Sequence, residues 1–167
     1  MLRVFDRLPA INFDALMELY SESNRDNALE FHPQEEPGRA LALVERSFED
    51  YLREDFFRHR GVRYALWEES GRYVSGLRLE PYQNGLLLEA LETHPDFRRC
   101  GFAKRLIMAV QQQDGVDRMW SHVDCSNLAS LAVHASCDFR KVLDYAVYLD
   151  GSINTHSVTL CWEAEGK

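Results

Sequence analysis

Apolar and polar positions repeat with two different periods along this chain, and each change of period marks an element. Leu86-Leu87-Leu88-Glu89-Ala90-Leu91 is a short apolar run, interrupted only by Glu89, of the kind that forms a strand buried on both faces. Thr93-His94-Pro95-Asp96-Phe97 ends it, because Pro95 has no amide to give to a ladder. After Arg98-Arg99-Cys100-Gly101 the period lengthens, and Phe102, Leu106, Ala109 and Val110 fall on one face of a helix. Strand, basic glycine loop and helix in that order present free backbone N–H groups and a positive helix end to an anion. The loop is neither Gly-x-x-x-x-Gly-Lys-Ser/Thr nor Gly-x-Gly-x-x-Gly, so neither a P-loop nor a dinucleotide fingerprint is present.

The same reading extends to both sides. Asn12 or Asp14 caps a first helix carrying Phe13, Leu16, Met17 and Tyr20, and the polar stretch from Tyr20 to Asn27 breaks its pattern. Pro33 to Gly38 is a loop by composition. A second helix is predicted from Arg39 to about Arg58, burying Leu43, Phe48, Tyr51, Leu52 and Phe56. Residues 63–69 and 72–80 form a hairpin around Glu69-Ser70-Gly71-Arg72, and residues 81–85 turn the chain into the central strand. Met119 to Asp124 is another strand. Ser126 or Asn127 then caps a helix. On that helix Asn127, Ser130 and His134 lie within about 60° of one another at about 100° per residue. Residues 142–149 and 157–163 close the chain as a hairpin. Hairpins in succession flanked by helices indicate one α/β domain over residues 1–167, built on a mixed sheet.

Charge narrows the partners. The net charge is −8, and only three lysines (104, 141 and 167) are present. An acidic surface repels a nucleic-acid backbone, so nucleic acid is not an expected partner. Against that background Arg98, Arg99, Lys104 and Arg105 form a local basic patch, suited to a small polyanion. No run approaches membrane-spanning length and no signal-peptide core precedes the first helix. The cysteines at 100, 125, 137 and 161 show no Cys-x-x-Cys spacing. A reduced, cytoplasmic setting without structural metal is the expectation.

Two motifs together resemble the GNAT superfamily of N-acetyltransferases. Arg98-x-x-Gly101-x-Ala103 is similar to that superfamily's acyl-CoA pyrophosphate loop, Arg/Gln-x-x-Gly-x-Gly/Ala, and follows His94-Pro95-Asp96-Phe97 as in many members. Asn127-x-x-Ser130-x-x-x-His134-x-x-x-Asp138-Phe139 resembles the later Asn-x-x-Ala/Ser-x-x-x-Tyr-x-x-x-Gly-Phe, with His134 in place of Tyr and Asp138 in place of Gly. The resemblance implies a mostly antiparallel central sheet flanked by helices and ending in a β-hairpin. It implies acetyl-CoA as cosubstrate, and an amine of a small molecule or protein as acceptor. A homodimer is compatible with it. It places the cosubstrate against Leu91, Glu92 and Thr93, against Arg98, Arg99, Cys100, Gly101, Phe102, Ala103 and Lys104, and against Asn127 and Ser130.

Acetyl transfer to an amine needs a base for the ammonium proton and an acid for the departing thiolate. Glu89 interrupts an apolar strand, where desolvation would raise its pKa, and is the expected base. Alternation puts it on one face with Leu91 and Thr93, and Glu92, the reserve, on the other. An ion pair of Glu89 with Arg78 on the adjoining strand is the competing reading. His134, at the family's Tyr position, is the expected acid. The alternative to an enzyme is a diverged GNAT-fold module that binds acyl-CoA without turnover.

Overall fold

A computed structural model describes residues 1–164. Seven strands form one sheet in the order β1-β2-β3-β4-β5-β9-β6: β1 (Leu2–Phe5), β2 (Arg63–Glu69), β3 (Arg72–Tyr82), β4 (Gly85–Thr93), β5 (Arg118–Asp124), β6 (Arg140–Leu143) and β9 (Ser157–Glu163). A small two-stranded sheet, β7 (Ala146–Val147) with β8 (Ile153–Asn154), sits between β6 and β9 in the chain. The helices are α1 (Phe13–Leu19), α2 (Ser21–Phe31), α3 (Pro37–Glu54), α4 (Phe102–Gln111) and α5 (Leu128–Ala135). Every pairing in the large sheet is antiparallel except β4 with β5.

Helix starts follow capping chemistry. The Asn12 side chain accepts the Ala15 amide, and the Glu36 carboxylate accepts the amides of Gly38 and Arg39, with Pro37 in the first turn of α3. The helix predicted from Arg39 therefore begins two residues earlier. It ends at Glu54, and Phe56–Arg58 is a separate 3-10 turn.

The polar stretch after Tyr20, which interrupts the apolar pattern, is helical as α2. Its inward residues Ser23, Asn24 and Asn27 line a cavity instead of a core, so no apolar stripe marks it. The strand predicted over residues 142–149 is split into β6 and β7.

Each face of the sheet is packed. Ala65, Leu77, Leu79 and Leu88 meet Leu106, Ile107 and Val110 of α4 on one side. On the other, Tyr64 and Leu66 meet Leu16 and Leu19 of α1, Leu52 of α3 and Phe56. Fully burying one such side chain contributes roughly 1.5–3 kcal/mol.

Two irregularities of β4 shape the centre. First, Gly76 pairs with Glu92 while Arg78 pairs with Glu89, so Leu77 faces both Ala90 and Leu91. This is a β-bulge, with Ala90 at φ 48°. The extra residue cancels the alternation expected for this strand. Glu92 shares a face with Glu89, and Leu91 turns toward the core on the other side. Second, β4 pairs with β5 only through Leu86, Leu87 and Leu88. The Ser121 hydroxyl donates to the Leu88 carbonyl at 3.2 Å, and beyond that point the strands part.

Gly85 sets the closed end of the pair. A Cβ there would stand 2.6 Å from the Arg118 carbonyl oxygen. Gly85→Ala should therefore wedge β4 from β5 and lower stability by about 1–3 kcal/mol, read as a shift of the urea midpoint at constant slope. No shift would mean that the two strands tolerate separation at this end.

Candidate active site

The loop before α4 is built for an anion. Arg99 at φ 61° and Gly101 at φ 80° turn the chain so that α4 starts at Phe102 without a side-chain cap. Among the described residues the amides of 99–104 have no main-chain acceptor. They border a groove of about 670 Å³ between this loop, the end of β4 and α5. Leu91, Glu92, Thr93, Arg98, Arg99, Gly101, Phe102, Ala103, Lys104, Asn127 and Ser130 all line it. Of the residues expected at the cosubstrate, Cys100 alone does not.

Arg98 is a strut. It donates to the Thr93 carbonyl at 3.2 Å and to Glu92 at 3.2 Å, and pairs with Glu22 of α2. Glu22, first among these partners, raises its pKa. That leaves Arg99 and Lys104, which make no ion pair among the described residues, as the positive charges facing the groove.

A second cavity of about 600 Å³ lies under α2 and α3, lined by Tyr20, Ser23, Ser47, Tyr51 and Arg78 among others. Both cavities reach Leu91 and Glu92. Glu92 is held by the Ser23 hydroxyl at 2.7 Å and by Arg98. Glu89 lies outside both spaces, opposite Arg78, with 3.9 Å between guanidinium and carboxylate. The ion pair foreseen as its other reading is present.

Tyr64 is a residue that the sequence did not single out. Its hydroxyl donates to the Tyr20 hydroxyl at 2.7 Å, which donates to the Ala90 carbonyl at 3.0 Å. Burial pushes the Tyr20 pKa up to about 12 and Tyr64 well above its ordinary value, so both remain protonated donors. The two hydroxyls thus pin the bulge. Only the apolar neighbourhood of these rings marks them in the sequence, and that reads as core.

His134 is 1% exposed and does not line the groove. Its Nδ1 is 2.8 Å from the Ser130 carbonyl, an oxygen that only accepts, so Nδ1 carries the proton. Nε2 is buried without a partner, and the ring stands edge-on to Phe139 at 5.0 Å. Burial lowers its pKa. A neutral imidazole with its only proton committed to a carbonyl is a poor acid. Asn127 caps α5 by accepting the Ser130 amide at 3.0 Å, and Asp138 takes the left-handed conformation at φ 63°, which Asp tolerates better than most residues.

The model of the acetyltransferase (GNAT) family matches residues 13–139. The chain belongs to the GNAT family of acetyltransferases. Solved structures of similar fold include the PaiA N-acetyltransferase of Thermoplasma acidophilum in complex with coenzyme A, at 9% identity and TM-score 0.65 over 98% of this chain and 99% of that one. An N-acetyltransferase from Staphylococcus aureus Mu50 matches at 15% identity and TM-score 0.65 over 96% and 100%. The ribosomal-protein-S18-alanine N-acetyltransferase from Escherichia coli matches at 16% and 0.59 over 98% and 94%. No curated protein matches the sequence. At these identities the likeness is one of fold.

Acetyl-CoA is the cosubstrate of GNAT enzymes, and the residues of this groove fit it. Six successive amides without acceptors and two unpaired cations suit a diphosphate, and the groove runs from them to the parted strands. Among the described residues no helix is long and apolar enough to cross a membrane.

His134 and His122 both have pKa values lowered from 6.5, burial being the first cause in each. As pH falls below about 6.5 the unfolded chain takes up protons that the folded chain still refuses, so stability is lost on acidification. Urea unfolding should show a nearly constant free energy between about pH 7 and about pH 8 and a decline below it, of at most about 1.4 kcal/mol per pH unit for each imidazole. His134→Leu should flatten part of that decline; an unchanged slope would show that His134 titrates freely.

Proposed function

We propose that this GNAT chain transfers an acetyl group from acetyl-CoA to a primary amine by direct attack, without an acyl-enzyme. The observation that carries the reading is the meeting of two cavities at Leu91 and Glu92, where β4 has left β5. Acetyl-CoA, when bound, supplies the acyl thioester. The amides of residues 99–104, with Arg99 and Lys104, hold the diphosphate end, and Asn127 and Ser130 flank the arm. Main-chain groups of Leu91 to Thr93, unpaired with β5, line the acyl end.

The acceptor occupies the cavity under α2 and α3. Glu92 draws in its ammonium group and takes the proton released as nitrogen forms its new bond, directly or through a water. Glu92 replaces Glu89 in this role because it alone of the two borders both spaces. The sulfur takes its proton from solvent at the groove. His134 is given no part in that step, its Nδ1 proton being held by Ser130. Cys100, Cys125, Cys137 and Cys161 are all free thiols, which suits a reduced, cytoplasmic setting.

A second reading, a GNAT-fold module that binds acyl-CoA without turnover, draws on the burial of His134 where the family motif has Tyr. Thiol release from acetyl-CoA with a panel of amines separates the two. Turnover is expected with at least one amine. Thermal stabilisation by CoA with no thiol release across the panel would favour the binding module.

Glu92→Gln should lower kcat about a hundredfold with the CoA Kd nearly unchanged, and Glu89→Gln should cost much less; the reverse order would return the base to Glu89. Lys104→Ala should weaken CoA binding about tenfold, or about 1.4 kcal/mol, in calorimetry. An unaltered Kd would place the diphosphate elsewhere.

A further inference from the structure

A third cavity, of about 480 Å³, adjoins the amine cavity and is unused by the roles above. Tyr51 and Arg78 line both spaces. Its other walls are Glu80, Glu89 and Tyr148, with Asp55 and Asp150 also lining it. Glu80 is only 8% exposed, and among the described residues no nitrogen donor bonds its carboxyl, whose side-chain hydrogen bond is shared with another carboxyl. The group that faces it is the carboxyl of Glu89.

Arg78 does not resolve this. Its guanidinium stands 3.9 Å from Glu89 and lies over the rings of Tyr51 and Phe56, at 4.9 and 5.6 Å. His59 is 3.7 Å from Asp55, and both are well exposed. Two facing carboxyls either share a proton or hold a cation between them. Burial, and after it the Glu89 carboxyl, raises the Glu80 pKa, and Arg78 and His59 offset this only in part. Even with one proton shared between Glu80 and Glu89, the three remaining carboxylate charges outweigh the single arginine, and the space stays negative. Tyr51 and Tyr148 add ring surface of the kind that an ammonium group prefers.

We propose that this third cavity is a subsite for a second ammonium group of the acceptor, so that the substrate is an α,ω-diamine or a longer polyamine. The inference rests on the amine-transfer reading above and names its substrate class. The spacing agrees. Because of the bulge, Glu89 and Glu92 lie on one face about two strand rises apart, ~7 Å, and Glu80 extends the negative surface beyond Glu89. Two nitrogens joined by four or five methylenes span about 6–8 Å at ordinary bond lengths. One end then reaches Glu92 and the acyl end of the groove while the other rests between Glu80 and Glu89.

The test is calorimetric titration of the whole chain, saturated with CoA, using pentane-1,5-diamine, pentylamine and 6-aminohexanoate. The diamine should bind at least about tenfold more tightly than pentylamine, the work of one added charge-assisted contact. 6-Aminohexanoate should bind most weakly. Glu80→Gln, which keeps the shape and removes the charge, should cut the diamine's advantage to below about threefold.

Equal binding of diamine and pentylamine by the unaltered protein would overturn the subsite, and so would an advantage that survives in Glu80→Gln. Tighter binding of 6-aminohexanoate would overturn it as well, since Arg78 would then be reading a carboxylate. Thiol release, measured with the same amines, separates the two levels. Diamine preference without acetyl transfer to either amine would remove the proposed function and leave the subsite standing. Transfer to both amines at equal affinity would do the opposite.

Discussion

The site depends on a ladder that stops early. Parallel strands β4 and β5 share only three residue pairs before they part, although both continue. A strand edge left unpaired inside a protein carries N–H and C=O groups that cost roughly 1–3 kcal/mol each if nothing bonds them. That cost gives an extended ligand arm its place. The closed end of the pair is fixed by Gly85 against the Arg118 carbonyl, and the last cross-link is made by the Ser121 hydroxyl. Around the open end, the bulge at Ala90 turns Leu91 one way and Glu92 the other, and the hydroxyls of Tyr20 and Tyr64 keep it there. Core packing, bulge and groove are thus one construction.

Much of this was legible in the chain. The anion loop could be read because proline, glycine and clustered cations each have a local physical meaning that neighbours seldom override. Strands β2, β3, β4, β5 and β9 and helix α4 followed from hydrophobic period, whereas β1 carried no such signal, and Asn127 and Asp138 behaved as their backbone chemistry requires. What escaped was set by tertiary context. α2 carries no apolar stripe because it faces a cavity. The bulge is a single extra residue within an apolar run, and nothing in Glu89-Ala90-Leu91-Glu92 marks where alternation fails. Missing it put Glu92 on the wrong face and made Glu89 the more attractive base. His134 matched a motif position, but position in a motif does not report which nitrogen is free.

Charge is organised around the same centre. Arg98, the first residue of the loop motif, is spent on Glu22 and Glu92, tying α2 to the end of β4. The groove therefore draws its positive charge from Arg99, Lys104 and the amides at the start of α4. The cavities on the other side of Leu91 become progressively negative, from Glu92, which shares Arg98 with Glu22, to the carboxyls of Glu80 and Glu89. A molecule lying across the site would thus meet a positive end, an apolar and hydrogen-bonding middle, and a negative end.

The central claim is that the main chain on either side of the strand parting receives the cosubstrate. Titration of CoA into 15N-labelled protein, followed by amide NMR, tests it most directly. The account predicts that the largest shifts gather at the amides of residues 91–93 and 99–104. Shifts that leave both stretches unmoved, or that gather instead around β7 and β8, would contradict it.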